Sequence, residues 1–269
     1  MWSSRRSARP SALAPPRIEG SPVSLTLTVL GCSGSYAAPG NPCTGYLVRS
    51  EGAAVVLDCG PGTLGPLQEA IDLNEVTAIV TTHCHPDHWL ELPVIRNVFI
   101  WFVPRSNVPV YGTAETRAMD QAITVMRSGK TDPLAWTVID PASELTVGDQ
   151  RWSFALTDHP VETLAARVDA GGRSLAFSSD TGPGWDFRTL GEGIHVAVCD
   201  ASHGCEREGE GIPHMSAREA ARAASVAGAD RLLLTHLAPG CDPDAQLAEA
   251  SEAFDGDVAV ARPGLVLTV

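Results

Sequence analysis

Three histidines and one aspartate crowd into the six residues His83-Cys84-His85-Pro86-Asp87-His88. Residues 77–81 before them read Thr-Ala-Ile-Val-Thr, so we expect the motif to form the loop at the end of a buried strand. Imidazole and carboxylate groups clustered beside a core are costly unless a cation binds them. The whole chain has only eight histidines, so finding three of them within six positions is unlikely by chance.

The types and spacing of these side chains indicate two adjacent metal ions. His83 and His85 can face one ion, and Asp87 and His88 can face the next. Imidazole and carboxylate together suit zinc, and manganese and iron accept the same ligands. We therefore predict two divalent metal ions as cofactors, with zinc favoured and manganese or iron as alternatives.

Further ligands are offered by His159, Asp180 and His236, which each follow a run of residues that reads as a strand. Brought together with the first motif, they give three protein ligands for each ion and one bridging carboxylate. Such a set leaves room for a water, as catalytic zinc sites require. The predicted ligands are His83, His85 and His159 for one ion, Asp87, His88 and His236 for the other, and Asp180 between them.

These motifs resemble those of metallo-β-lactamase fold hydrolases, and within them the ribonuclease Z-like branch. Residues 30–35 resemble the opening strand and glycine loop of that branch, and residues 57–63 resemble its second glycine turn. Residues 179–181 and 234–236 are similar to its later motifs. The resemblance covers roughly residues 24–269, and it is greatest to small actinobacterial members described as cyclic nucleotide phosphodiesterases.

The resemblance sharpens the expected fold and activity. Helix-like runs cover residues 63–72, 88–98, 113–128, 216–228 and 243–254. Strand-like runs cover residues 23–30, 44–49, 53–58, 76–82, 108–111, 136–139, 151–157, 163–169, 173–178, 195–199, 231–235 and 264–268. Their alternation alone predicts an α/β layered fold with mixed sheets. The resemblance implies a four-layer αβ/βα sandwich with helices outside and the metals at one edge. It implies a phosphodiesterase for a small phosphodiester, such as the cyclic nucleotide cAMP. Alternatives are a hydrolase of a carboxylic ester, thioester or lactone, a tRNA 3′-processing endonuclease, or an inert metal-binding protein.

His214 precedes a predicted helix, whose start is marked by the capping-box pattern of Ser216 and Glu219. In the ribonuclease Z-like branch, a histidine in this place contacts the scissile phosphate and helps to protonate the leaving oxygen. Asp200 matches the acidic partner that orients it, although that branch usually has Glu there. Asp87 is expected to hydrogen-bond the attacking water while it binds the second ion. The predicted catalytic residues are thus Asp87, His214 and Asp200.

Asp58 and three aromatic residues each allow two interpretations. Asp58 ends an apolar run, where its carboxylate could accept the ring N–H of a ligand histidine or cap the following helix. Trp89, Trp101 and Phe102 could line the entrance of the site or pack in the core.

The charge of the chain argues against a large nucleic acid as the partner. The formal net charge is −13, and the arginines of residues 1–22 make the remainder more acidic still. An acidic surface repels polyanions, and no long basic insertion lies between His88 and His159. A small phosphodiester remains compatible, because bound ions supply local positive charge.

Residues 1–22 differ in composition from the rest, with arginines set among Ser, Ala and Pro. We predict a disordered N-terminal extension there and one metallo-β-lactamase-fold catalytic domain over residues 23–269. No apolar segment follows Arg5-Arg6 and no long apolar run occurs elsewhere, so we predict neither export nor membrane association. Seven cysteines without a Cys-x-x-Cys pair favour a reducing cytoplasm. The resemblance also implies a homodimer.

Overall fold

The computed structural model describes residues 25–124 and 129–269, so the predicted extension over residues 1–22 lies outside the described residues. The strands, in chain order, are β1 (Thr26–Gly31), β2 (Gly45–Arg49), β3 (Ala54–Cys59), β4 (Ala78–Val80), β5 (Val108–Gly112), β6 (Leu134–Val138), β7 (Glu144–Val147), β8 (Gln150–Leu156), β9 (Leu164–Ala170), β10 (Arg173–Phe177), β11 (Val196–Asp200), β12 (Arg231–Thr235), β13 (Asp257–Val260) and β14 (Val266–Thr268).

The helices lie between these strands. They are α1 (Leu64–Ala70), α2 (Pro86–Trp89), α3 (Leu92–Trp101), α4 (Ala114–Ile123), α5 (Ala217–Val226) and α6 (Pro243–Ser251). Short 3₁₀ turns cover Leu73–Glu75, Phe187–Leu190 and Cys205–Arg207.

The strands form two sheets of seven strands each. The first has the order β14-β1-β2-β3-β4-β5-β6, antiparallel from β14 to β3 and parallel from β3 to β6. The second has the order β13-β12-β11-β10-β9-β8-β7, parallel from β13 to β10 and antiparallel from β10 to β7. Parallel neighbours place their carboxyl ends at the same edge of a sheet, which brings the loops that follow them together.

Register in the second sheet sets the positions of three predicted site residues. Phe177 of β10 lies opposite Val198 of β11, and Val198 lies opposite Leu233 of β12. Asp200 ends β11, while Asp180 and His236 follow β10 and β12 within three residues. The three side chains therefore leave neighbouring strands at nearly the same level.

An apolar core fills the space between the sheets. Tyr46 and Leu57 of the first sheet and Trp152 and Phe177 of the second are all buried in it. The Tyr46 and Phe177 rings meet edge to face with their centroids 5.2 Å apart. β3 is buried along its whole length, because the second sheet covers one of its faces and helices cover the other.

Helices cover the outer face of each sheet. Leu67 of α1 and Phe99 of α3 pack on the first sheet, and the alanine-rich face of α5 packs on the second. The capping box predicted for Ser216 and Glu219 is confirmed at the start of α5. The four-layer αβ/βα sandwich expected from the resemblance is confirmed as well.

Some predicted elements differ from the structure. Strands β7 and β13 were not among the predicted strands, and a single helix predicted over residues 88–98 is the pair α2 and α3. Pro93 lies in the first turn of α3, where its ring would clash with the backbone of a continuous helix. The helix predicted over residues 113–128 is α4, and residues 125–128 lie outside the described part of the chain.

All seven cysteines are free thiols. Among the described residues, no helix combines the length and the apolar character that a membrane span requires.

Candidate metal centre

The loop after β4 becomes the short helix α2 within the motif itself. His85 is the N-cap residue of α2, and Pro86 occupies its first turn. Proline suits that position because its missing N–H would have no helical partner there. The proline thus helps to start a helix that holds Asp87 and His88 rigidly, while His83 and His85 precede it.

The first predicted ligand set comes together beside this loop. His83, His85, His159 and Asp180 each offer a ligand atom, and these atoms all lie within 4.8 Å of one another. His159 Nε2 is 3.1 Å from His85 Nδ1. Two segments far apart in the sequence, residues 83–85 and residue 159, therefore point ring nitrogens at a common place.

The second predicted set lies next to the first and shares Asp180 with it. Asp87, His88, Asp180 and His236 also have ligand atoms within 4.8 Å of one another. Asp180 Oδ1 is 3.1 Å from His88 Nε2 and 3.3 Å from His236 Nε2. His236 Nε2 is also 3.3 Å from Asp87 Oδ2. Asp180 is therefore placed where a carboxylate could serve two ions.

The donor atoms in these sets fit divalent cations. His83 Nε2 is fully buried and has no hydrogen-bond partner among the described residues, and its neighbour Asp180 Oδ2 is 3.6 Å away. His88 Nε2 and His236 Nε2 face each other at 3.4 Å, which places two ring nitrogens against one another in the core. Buried nitrogens and carboxylates without other partners are satisfied by a metal ion that accepts their lone pairs.

Buried carboxylates hold the candidate ligands in place from behind. Asp58 Oδ2 is 2.7 Å from His88 Nδ1, and Asp58 Oδ1 accepts a hydrogen bond from the Thr82 amide. The contact with a candidate ligand histidine is thus present, and the helix-cap interpretation of Asp58 is wrong, since Thr63 is the N-cap of α1. An outer carboxylate of this kind fixes which ring nitrogen faces the metal.

Several contacts in this outer layer were not predicted from the sequence. Ser202 Oγ donates to Asp200 Oδ1 at 2.7 Å and lies 2.9 Å from His236 Nδ1. The Ser35 amide donates to Asp87 Oδ2 at 2.9 Å. The Pro213 carbonyl lies 3.1 Å from His159 Nδ1, so a loop distant in sequence supports that ring. Only Ser202 had a sequence signal, as a polar residue just after a buried strand.

His214 and Asp200 form a close pair at the edge of the ligand sets. His214 Nδ1 is 2.7 Å from Asp200 Oδ2, so the Asp side chain is long enough to reach the histidine. The same carboxylate oxygen accepts from the Thr181 amide. The His214 ring stacks on His236 with centroids 5.1 Å apart, and its centroid is 5.4 Å from that of His159.

Electrostatics divides the histidines into two groups. Burial lowers the pKa of His83 well below its ordinary value and also lowers the pKa of His159. Burial acts the same way on His88 and His236, but nearby carboxylates, Asp180 foremost, outweigh it. The pKa of His88 is therefore raised well above its usual range, and that of His236 is raised to about 10.

The carboxylates respond to the same charges. Burial opposes ionisation of Asp180, yet His236 and His88 hold its pKa well below the ordinary value. Burial opposes ionisation of Asp200 as well, and the neighbouring His214 overcomes it and lowers that pKa. Asp200 in turn raises the pKa of His214 against the effect of burial. These imidazoles and carboxylates thus favour one another's charged forms, and a cation bound here would compete with protons for the histidines.

Backbone strain gathers at this edge of the sheets. Asp58, Ser179 and His236 have φ values of 56°, 54° and 59°, in the left-handed region that non-glycine residues seldom adopt. Such conformations cost about 1–3 kcal/mol each and persist where the surroundings enforce them, often at functional sites. Gly60 shows how tightly the loops meet, since a Cβ there would lie 1.9 Å from the Asp87 carbonyl oxygen.

A cleft of about 480 Å³ opens beside His159 and His214. Its lining residues are Asp158, His159, Pro160, Gly182, Pro183, His203, Arg207, Gly209, Gly211, Ile212, Pro213, His214 and Glu219.

The aromatic residues considered from the sequence do not line this cleft. Trp89 is buried, and its Nε1 donates to the Cys84 carbonyl. Trp101 and Phe102 are exposed at the end of α3. The interpretation of all three as entrance residues is therefore wrong for this cleft.

The chain is similar to known proteins over most of its length. The family model "Beta-lactamase superfamily domain" matches residues 53–237. The uncharacterized protein Rv1339 of Mycobacterium tuberculosis is 34% identical over 253 residues, which cover 89% of this chain and 90% of that protein. Ribonuclease Z of Methanopyrus kandleri is 26% identical over 282 residues, which cover 91% of this chain and 98% of that protein.

A solved structure supports the same relationship. The probable metallo-hydrolase YhfI of Bacillus subtilis is 28% identical over 246 residues, with 90% of this chain and 99% of that protein covered. Its crystal structure, described as a metallo-beta-lactamase fold protein, superposes with a TM-score of 0.83 over 92% of this chain and 100% of that chain, at 26% identity.

Proposed function

The chain belongs to the β-lactamase superfamily, and from this membership we propose that it is a dinuclear metal-dependent phosphodiesterase that hydrolyses small phosphodiesters. The resemblance of its motifs to metallo-β-lactamase fold hydrolases and to ribonuclease Z is confirmed. A metal-dependent hydrolase is the coarser description that its metallo-hydrolase relative supports directly. The substrate we propose is a cyclic nucleotide such as cyclic AMP. The observation that carries the proposal is the His214–Asp200 pair, which lies beside both ligand sets, with His214 in the wall of the cleft.

The proposed metal ligands follow the two clusters of donor atoms. One ion would be held by His83, His85 and His159, the other by Asp87, His88 and His236, with Asp180 shared. Zinc is the ion we propose, and manganese and iron suit the same donors. When bound, such ions supply Lewis acidity to the phosphoryl oxygens and make a water nucleophilic at neutral pH.

His214 is the proposed proton donor to the leaving oxygen. Its Nδ1 is engaged by Asp200, so Nε2 is the ring atom left for the substrate. Asp200 is itself fixed by the Thr181 amide and by Ser202 Oγ, so it cannot swing away from the histidine without breaking these bonds. A donor held in this way protonates an alkoxide leaving group, which does not depart readily without a proton.

Asp87 has a second proposed role besides binding an ion. Its Oδ2 accepts from the Ser35 amide, which orients the carboxylate, and the side chain is largely buried. The carboxylate can accept a hydrogen bond from the attacking water and keep a lone pair of that water directed at phosphorus.

The cleft and the charge of the molecule favour a small substrate. A volume of about 480 Å³ suits a nucleotide-sized ligand, since ligand pockets span roughly 300–1,000 Å³. With a net charge of −13, the protein repels an extended polyanion such as RNA. The seven free cysteines suit a reducing compartment, so we propose a cytoplasmic location.

The proposal is tested by metal analysis coupled to a substrate panel. Purified protein would be assayed on cyclic AMP, cyclic GMP, 2′,3′-cyclic nucleotides and bis(p-nitrophenyl) phosphate, with about two ions per chain expected. Nitrocefin and a thioester report carbonyl hydrolysis, and a precursor tRNA reports endonuclease activity. We expect the cyclic nucleotides to be hydrolysed fastest. Faster turnover of nitrocefin, the thioester or the tRNA, or inertness of fully metallated protein towards every ester, would overturn the proposal.

A further inference from the structure

His203 is a buried histidine with no role in the proposed chemistry. It is only 4% exposed, follows β11 by three residues and is one of the residues that line the cleft. Its Nδ1 lies 3.0 Å from the Gly204 carbonyl oxygen, and its Nε2 lies 3.2 Å from the His214 carbonyl oxygen. Both ring nitrogens thus face backbone acceptors rather than a substrate.

The two carbonyls belong to opposite ends of one loop, residues 204–214, which we term the cleft loop. The bridge between His203 and Ser216 closes this loop at its base. Arg207, Gly209, Gly211, Ile212, Pro213 and His214 all come from the cleft loop and line the cleft. Through its contact with the His214 carbonyl, the His203 ring therefore connects the beginning of the cleft loop to its end.

The last two residues of the cleft loop both contribute to the proposed site. His214 is the proposed proton donor, and the carbonyl of Pro213 supports His159. Gly209 and Gly211 have φ values of 82° and 74°, so the middle of the loop bends at residues without a side chain to brace it. A flexible loop places its last residue accurately only where that residue is anchored.

We infer that His203 is a positioning residue, which anchors the His214 backbone through its Nε2 and so aims the His214 ring at the leaving oxygen. This inference rests on the proposed function, because anchoring the His214 backbone affects catalysis only if His214 donates the proton. Glu208 supplies a second, outer attachment, since its carboxylate accepts from Ser216 Oγ at 2.6 Å and from Arg218 at 2.7 Å. That outer attachment holds the middle of the loop, so the His214 carbonyl still depends on His203.

Two conservative variants separate the two contacts of the ring. A neutral imidazole carries one N–H and so donates to one carbonyl at a time. The amide of Gln reaches the place of Nε2, so His203→Gln keeps a donor for the His214 carbonyl. The shorter Asn reaches only the place of Nδ1, so His203→Asn keeps a donor for Gly204 and loses the His214 contact.

The expected result follows the contact with His214. On cyclic AMP, His203→Asn should lower kcat about 10–100-fold with little change in KM, as losses of outer support commonly do, and His203→Gln should stay within about threefold of the parent. On bis(p-nitrophenyl) phosphate, whose leaving group departs without a proton, the Asn variant should lose far less. Hydrogen exchange of the metal-free protein gives a readout independent of activity. The amides of residues 208–212 and of His214 should exchange faster in the Asn variant than in the Gln variant.

Controls separate this inference from general instability and from the parent proposal. His195 lies at the opposite end of β11, where its Nδ1 accepts from the Ser174 amide, so His195→Asn is the matched variant and should keep the parent rate on both substrates. Metal content and the free energy of unfolding are measured for every variant.

If His214→Ala slows cyclic AMP hydrolysis but the two His203 variants have equal rates and equal hydrogen exchange, the inference about His203 is overturned and the proposed function stands. If His214→Ala itself keeps the full rate, the proposed function loses its proton donor as well.

Discussion

At the scale of single residues, the proposed chemistry depends on the proton held at His214. Substituting His214→Ala removes a donor worth about 10²–10⁴-fold, so kcat for cyclic AMP should fall by that amount. The side chain is not a proposed metal ligand, and elemental analysis should find the ions at parental levels. Kinetics on cyclic AMP and on bis(p-nitrophenyl) phosphate make the check, with the larger loss expected on cyclic AMP. An unchanged rate on cyclic AMP would remove His214 from the mechanism.

Asp58 sets a second expectation at this scale. It is completely buried, and it holds His88 through a 2.7 Å contact at Nδ1. Asp58→Asn keeps the size of the side chain but removes the charge that orients the ring, so metal affinity should fall about 10–100-fold. Competition with a chromogenic chelator measures this. Asp72→Asn, at an exposed turn, is the control and should bind as the parent does. Equal affinities in the two variants would contradict the role given to Asp58.

Residue types were the part of the site that the sequence could reveal. A candidate ligand histidine can be recognised by other candidate ligands close to it in the sequence, as in residues 83–88, or by its position after an apolar strand, as with His236. Backbone groups carry no such mark. The Pro213 carbonyl behind His159 and the Ser35 amide behind Asp87 depend on how distant loops fold against one another, which local pattern does not encode.

At the scale of secondary-structure elements, the strands that escaped prediction are both at sheet edges. Within the part of the chain that the structure describes, β7 pairs only with β8, and β13 pairs only with β12. β7 has one buried residue, and β13 has none. An edge strand with little burial lacks the regular apolar pattern by which strands are read. The interior strand β3, with all six residues buried, was by contrast easily found.

The β9–β10 hairpin carries a pH-dependent contribution to stability. Burial opposes ionisation of Asp169, but hydrogen bonds from Arg167 and Ser174 outweigh it and lower the pKa of this carboxyl. A folded-state pKa below the unfolded value stabilises the fold at higher pH, and the stabilisation is lost as pH falls through the folded pKa. Asp169→Asn should therefore lower the free energy of unfolding by about 0.5–1.5 kcal/mol at pH 7.

Urea denaturation at several pH values tests this sign. The difference in free energy of unfolding between the parent and Asp169→Asn should stay constant from pH 7 to about pH 5. It should disappear below about pH 4, near the unfolded pKa of an aspartate. Glu69→Gln, on an exposed face of α1, is the matched control and should stay within about 0.5 kcal/mol of the parent throughout. A gap that widens on acidification would show that the sign assigned to Asp169 is wrong.

At the scale of the whole molecule, cation binding and folding stability are linked. Four carboxylates, those of Asp58, Asp87, Asp180 and Asp200, are buried together near the ligand sets. Each of the two ions, present at about 100 times its Kd, would add about 2.7 kcal/mol, because it binds the folded state alone. Removing both ions with a chelator should lower Tm by about 10–20 °C for a chain of this size.

Calorimetry before and after chelation provides the measurement, and add-back of zinc, manganese or iron shows which ion restores Tm. A Tm that changes neither on chelation nor on add-back of metal would argue that these side chains do not bind ions. Magnesium, which prefers oxygen ligands, serves as the control and should restore little.

The long-range arrangement is the part of the fold that local sequence patterns could not supply. Runs of apolar residues predict strands, but they do not say which of two sheets a strand enters. β14, the last strand, returns to pair with β1 across nearly the whole chain, and only the resemblance to a known fold anticipated two facing sheets.

The division of the proposed ligands between the two sheets has a consequence for how the two sheets are held together. Residues 83–88 follow a strand of the first sheet, whereas His159, Asp180 and His236 follow strands of the second. On the proposed assignment, neither sheet alone carries the three ligands of either ion. Each ion could therefore be fully coordinated only when both sheets are in place, and the bound pair would act as a crosslink between them.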